Sequence, residues 1–94
     1  MSGHYLFPMT KFAKRPGLTR QLFHVASEFF EIVAAILHGD LEHACHECYD
    51  LIGSVETLIR ILYEKGRDQA IPVYPAIIRM DVEAKNRARG YYEL

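Results

Sequence analysis

Ninety-four residues and 10.8 kDa make one small domain with a thin core, yet half of the residues are apolar and 12% are aromatic. Eleven Lys and Arg against twelve Asp and Glu leave a net charge of −1, too even for a nucleic-acid polymer or an anionic membrane as partner. The longest apolar run, Ile32 to Leu37, is six residues, far below the ~20 that span a bilayer, and two Cys build no disulfide framework. With no apolar stretch of signal-peptide length near the start, a soluble, cytoplasmic, self-associating protein is expected.

Residues 1–17 mix Pro, Gly and basic residues without a period and read as an irregular arm, closed by the turn signal Arg15-Pro16-Gly17. Residues 18–94 read as one helical domain. From Leu18 to Leu37 there is no Gly or Pro, and thirteen of the twenty residues are apolar, which favours helix over strand. Gly39 suits the C′ position of that helix and Asp40 the N-cap of the next. From Leu41 to about Tyr63, apolar residues recur at helical spacing, and Lys65-Gly66 reads as the stop. A loop over 66–75, fixed by Pro72 and Pro75, leads to a third helix from about Tyr74 to Ala88, with Gly90 as terminator. The class is all-α: an antiparallel helical hairpin plus a third helix. The apolar surplus on the first helix predicts pairing of hairpins into a four-helix bundle, as a homodimer or dimer of dimers.

The first long helix is apolar nearly all round, except for a stripe of Gln21, His24, Glu28 and Glu31. The second carries His43, Glu47, Asp50, Ser54 and Thr57 on one face. Each stripe holds a carboxylate pair at i, i+3. One such pair alone is normally a solvated face, but register changes the weighting. With the turn centred on Gly39-Asp40, residue i faces one near 79 − i, so Glu31 lies level with Glu47 and Glu28 with Asp50, at roughly 12–17 Å from the turn. Four converging carboxylates must protonate or bind cations. All-oxygen ligation suits Mg²⁺ or Mn²⁺, which keep waters and accept substrate phosphates. In the third segment Lys85, Asn86 and Arg89 are the candidates for contacting a phosphate chain. His24, on the acidic stripe, is a further substrate-contact candidate.

E-x-x-E in SEFFEIVAAI, a Gly-Asp turn, then E-x-x-D in HECYDLIGSVETL and the ending DVEAKNRARGYY resemble the MazG-like branch of the all-α nucleoside triphosphate pyrophosphohydrolases, small phage-type members included. The resemblance spans about residues 18–90. It implies Mg²⁺-dependent cleavage of a nucleoside triphosphate to monophosphate and pyrophosphate, with Glu28, Glu31, Glu47 and Asp50 as metal ligands. Glu47 is the choice of general base, because it faces the opposite pair at the closest level. Two departures stand out: Ser27 occupies a position where many members have a further acid, and Phe29 and Phe30 replace small residues.

Two readings of another class compete. One is a non-catalytic helical module for oligomerisation or nucleotide sensing. The other is a zinc-stabilised bundle using His43, Cys45, His46 and Cys48. Structural zinc draws on two separated ligand pairs and no second Cys pair exists, so Cys45 and Cys48 are expected to point into the core with Ala44 and Ile52.

Overall fold

The computed structural model describes residues 5–13 and 17–92. Its elements, in chain order, are a short 3-10 turn (Lys11–Ala13), α1 (Leu18–Leu37), α2 (Leu41–Asp68) and α3 (Pro75–Ala88), with no strand among the described residues. Arg15 and Pro16 of the anticipated turn lie outside the described residues. Gly17 takes extended dihedrals at the N-cap of α1.

The α1–α2 connection follows its local chemistry. Gly39 adopts φ +77°, and the amides of Gly39 and Asp40 donate back to the carbonyls of Ile36 and Ala35, which closes the α1 C-terminus as a Schellman motif. Asp40 Oδ1 then accepts from the His43 amide at 3.0 Å and caps α2. A connection this short forces the two helices antiparallel and side by side.

α2 is longer than its pattern predicts. It runs through Gly66 to Asp68, so the expected stop at Lys65-Gly66 is corrected. Gly66 is buried, and a Cβ there would stand 2.7 Å from the Ile71 carbonyl oxygen and 2.8 Å from Val73 Cγ2. The residue is glycine because the returning chain presses on it. The left-handed residue that ends α2 is Ala70, at φ +57°, with the Ile71 amide donating to the Gly66 carbonyl at 2.7 Å. Tyr74 is the N-cap of α3 and Pro75 opens it, the position where a missing N–H is harmless. Gly90, at φ +79°, ends it as expected.

The hairpin core is slight: Ile32 and Ala35 from α1, Ala44 and Ile61 from α2, with Ala13 from the 3-10 turn. The remainder of the buried interface is polar and comes from the two stripes: Gln21, Glu47, Ser54 and Thr57. Meanwhile Phe23, Phe30, Leu37 and Leu41 are each at least two-thirds exposed. Cys45 and Cys48 are exposed as well, and Ile52 is 39% exposed. The expectation that both cysteines point into the core is therefore corrected. The face of α2 that meets α1 is the polar stripe, which turns the cysteines outward.

α3 buries none of its residues and forms no extended interface with the hairpin. Between α2 and α3 runs an apolar groove of about 720 Å³, walled by Ile59, Leu62, Val73, Ile78 and Val82. The chain exposes 7261 Å², against roughly 5,500 Å² for a compact monomer of its mass. Its radius of gyration is 15.3 Å, against about 12 Å for a compact domain of this length.

Candidate metal and nucleotide site

The hairpin register brings the two acidic pairs to facing positions. Glu31 and Glu47 lie within hydrogen-bonding reach of each other and line one cleft of about 330 Å³ near the α1–α2 turn. Glu28 and Asp50 line the neighbouring cleft, about 450 Å³. Two tethers hold the helices at this level: Ser54 Oγ donates to Glu28 Oε1 at 2.5 Å, and Gln21 Nε2 donates to the Ser54 carbonyl at 2.8 Å. Among the described residues no three His, Cys, Asp or Glu side chains already stand close enough to hold a metal ion. The carboxylates form two opposed pairs rather than one finished cage.

Glu47 is the electrostatic focus. Its side chain is 11% exposed, and its Oε1 is buried with no hydrogen-bond donor. Burial pushes its carboxyl above the usual glutamate range. A hydrogen bond to Glu31 and the negative charges of Glu31 and Asp50 act in the same direction, and His43 opposes them. His43 Nε2 stands 3.2 Å from Glu47 Oε2, one helical turn away. His24 relates to Glu28 in the same way, at 3.6 Å. Glu47 Oε1, buried among acidic neighbours, is an acceptor without a donor, and a set of oxygens fits a hard divalent cation.

The basic candidates lie elsewhere. Lys85, Asn86 and Arg89 stand at the C-terminal end of α3, and none of them lines either acidic cleft. Asn86 Nδ2 is 3.4 Å from the Tyr92 hydroxyl, and the Arg89 guanidinium lies 5.9 Å from the Tyr91 ring. Arg79 and Arg87 are both engaged with Glu83. The segment from His43 to Cys48 gathers no zinc site: His43 faces Glu47, and the cysteines are exposed.

Sequence reasoning missed the arm. Residues 5–10 dock on α2 through Glu56, whose two carboxylate oxygens accept the amides of Leu6 at 2.6 Å and Phe7 at 2.9 Å. Arg60 reaches the Phe7 carbonyl at 3.3 Å and covers the Tyr5 ring at 3.9 Å. Thr10 and Thr57 share a hydroxyl contact of 3.1 Å. The docked arm thereby forms one wall of the cleft that holds Glu28 and Asp50. A carboxylate at position 56, beside Val55 and Thr57 on the inward side of α2, was the one available signal, and nothing in the arm itself pairs with it by pattern.

No family model matches this chain, and no curated protein or solved structure matches it.

Proposed function

We propose that the chain is a MazG-like, Mg²⁺-dependent nucleotide pyrophosphohydrolase that cleaves nucleoside triphosphates to monophosphate and pyrophosphate. The observation that carries this reading is the facing of Glu31 and Glu47 across the hairpin, with a buried Glu47 oxygen that has no donor. Glu28 and Asp50 stand in the adjoining cleft. In the proposed site these four carboxylates hold Mg²⁺ (or Mn²⁺), which, when bound, neutralises phosphate charge and lowers the pKa of a coordinated water. Glu47 takes a proton from the attacking water. The water oxygen bonds to the α-phosphorus, the bond to the bridging oxygen of the β-phosphate breaks, and pyrophosphate departs. His43 holds Glu47 in place.

The exposed apolar faces support a second copy as partner. The excess over a compact monomer is roughly 1,700 Å² per chain, the scale of an obligate dimer interface. Covering Phe23, Phe30 and Leu37 with another hairpin completes a four-helix bundle. In that assembly the basic C-terminal turn around Lys85, Asn86 and Arg89 of a second copy is free to approach the phosphate chain. The same apolar faces also fit a non-catalytic oligomerisation module, and turnover separates the two readings. Among the described residues no helix is long and apolar enough to cross a membrane.

The test is incubation with Mg²⁺ and a panel of nucleoside triphosphates, with chromatographic detection of monophosphate and pyrophosphate. Stoichiometric formation of both is expected, with Glu47→Gln reducing the rate by about 100-fold or more. Absence of turnover on every nucleotide, together with absence of Mg²⁺ binding, would overturn the enzyme reading.

A further inference from the structure

The outward face of α2 carries a pattern that neither the core nor the acidic site uses. Leu41, Cys45, Cys48 and Ile52 are spaced by four, three and four residues. Val55, Ile59 and Leu62 continue the alternation. A repeat averaging 3.5 residues is the seam of a helix that pairs with another helix. α1 does not fill that role, because it meets the polar stripe of α2, where Glu47, Ser54 and Thr57 are buried. The far end of the seam, at Ile59 and Leu62, lines the groove toward α3. The near half is uncovered: Leu41 and Ile52 are exposed, and so are both thiols.

Two properties of this near half point to one occupant. The first is symmetry. The spacing reads the same in both directions. A second α2 laid antiparallel, about a twofold axis between His46 and Glu47, therefore sets Leu41 level with the second copy's Ile52 and Cys45 level with its Cys48. Such pairing uses the same patch on both copies. The second property is chemistry. Cys45 and Cys48 stand three residues apart, about 4.5 Å along the helix axis and about 60° around it. Zinc bonded at about 2.3 Å to four tetrahedral sulfurs sets them about 3.8 Å from one another, a spacing within reach of staggered rotamers. Packed helix axes lie about 8–10 Å apart, so short side chains on two facing seams meet midway. Structural zinc draws on two ligand pairs, and one chain supplies one of them. His43 is turned toward Glu47, and among the described residues no third His, Cys, Asp or Glu joins the two thiols.

We propose that Cys45 and Cys48 of two copies form one shared tetrathiolate site for Zn²⁺, which fastens α2 to α2 in antiparallel register. Each thiol releases its proton to solvent as it ligates. Thiolates select soft ions and leave Mg²⁺ to oxygen ligands, so this site is chemically separate from the carboxylates and does not rest on the pyrophosphohydrolase reading. Its seam lies on α2, whereas Phe23 and Phe30 lie on α1. The two contacts together give a dimer of dimers.

The experiment titrates Zn²⁺, and Co²⁺ as its spectroscopic substitute, into the reduced full chain with Mg²⁺ in excess to occupy the oxygen ligands. One Zn²⁺ per two chains is expected, with a doubling of the sedimenting mass over its zinc-free value. Co²⁺ is expected to give a sulfur-to-metal charge-transfer band and the strong visible absorption of a tetrahedral thiolate site. Cys45→Ser and Cys48→Ser should each lose both the band and the doubling. Their helix content by circular dichroism should match wild type, because both side chains are exposed. Absence of the charge-transfer band, one Zn²⁺ per chain, a mass that zinc leaves unchanged, or wild-type binding in either serine variant overturns the shared site.

Discussion

Glu31 on α1 and Glu47 on α2 sit within hydrogen-bond reach across the hairpin, and the arrangement leaves Glu47 Oε1 buried without a donor. An unneutralised pair of this kind opposes folding once both groups are ionised, which gives it a definite pH signature. Folding raises the Glu47 pKa above its ordinary value of 4.5. Between that value and the raised one, the folded state keeps a proton that the unfolded state has released, so this group's contribution to stability falls as pH rises through the window. Glu47→Gln removes the charge. Its melting temperature is expected to exceed that of wild type at neutral pH in metal-free buffer, with the difference shrinking below pH 4.5. A variant that melts lower than wild type at every pH would show that His43 already compensates the charge.

Divalent cations should reverse the same penalty. A ligand that binds only the folded state stabilises it by about 1.4 kcal/mol at ten times its dissociation constant, which for a domain of this size is a rise of roughly 6–11 °C in melting temperature. Mg²⁺ is expected to give such a rise at pH 7.5 and little at pH 4.5, where a proton competes for Glu47. Glu31→Gln and Asp50→Asn should each weaken the response. A Mg²⁺ response of the same size in Glu31→Gln as in wild type would place the cation elsewhere.

Phe30 is 68% exposed and Phe29, in T-shaped contact with it at 6.0 Å, is 53% exposed. Aromatic side chains of this size lie in water only at a cost, roughly 1.5–3 kcal/mol for a Phe relative to burial. Sedimentation or light scattering should give at least twice the 10.8 kDa chain mass. Phe30→Glu is expected to shift the protein toward monomer. A wild-type chain that runs as a monomer at micromolar concentration would leave the apolar face for a different occupant.

The residues that made the fold legible were those whose role is local. Gly39 and Asp40 announce a turn because φ > 0 and an N-cap are one-residue requirements, and the 79 − i register follows from their position. Of the observed cross-hairpin pairs, 31/47 lies one residue from that register, whereas 28/54 and 21/54 depart from it by three and four residues, up to about one helical turn. The misreadings were tertiary. Gly66 resembles a helix stop in sequence, but its smallness answers to the backbone of Ile71, which no pattern places beside it. Cys45 and Cys48 have the spacing of core residues, and they face outward because the polar stripe is what meets α1. The arm has no period of its own, and its structure is set by Glu56, about fifty positions away. Likewise the facing of the two acidic stripes was readable from spacing, whereas their division between two clefts and the wall that Phe7 and Met9 add to the second were not.

The end of α2 offers a test of local strain independent of any activity. All three α-helices close with the same pair of backward hydrogen bonds, from Gly39 and Asp40, from Ala70 and Ile71, and from Gly90 and Tyr91. Two of the three left-handed positions are glycine, and the third is Ala70 at φ +57°. An L-residue in that conformation costs about 1–2 kcal/mol, partly offset by the greater chain entropy glycine loses on folding. Ala70→Gly is therefore expected to stabilise by about 0.5–1 kcal/mol, visible as a rise of a few degrees in melting temperature. Gly66→Ala, four residues earlier, should act in the opposite direction, because its Cβ would meet the Ile71 carbonyl oxygen at 2.7 Å. Forcing a methyl into a packed contact costs about 1–3 kcal/mol. A Gly66→Ala chain that melts at or above the wild-type temperature would mean that the 71–73 return does not press on α2, and the α2–α3 connection would need a different geometry.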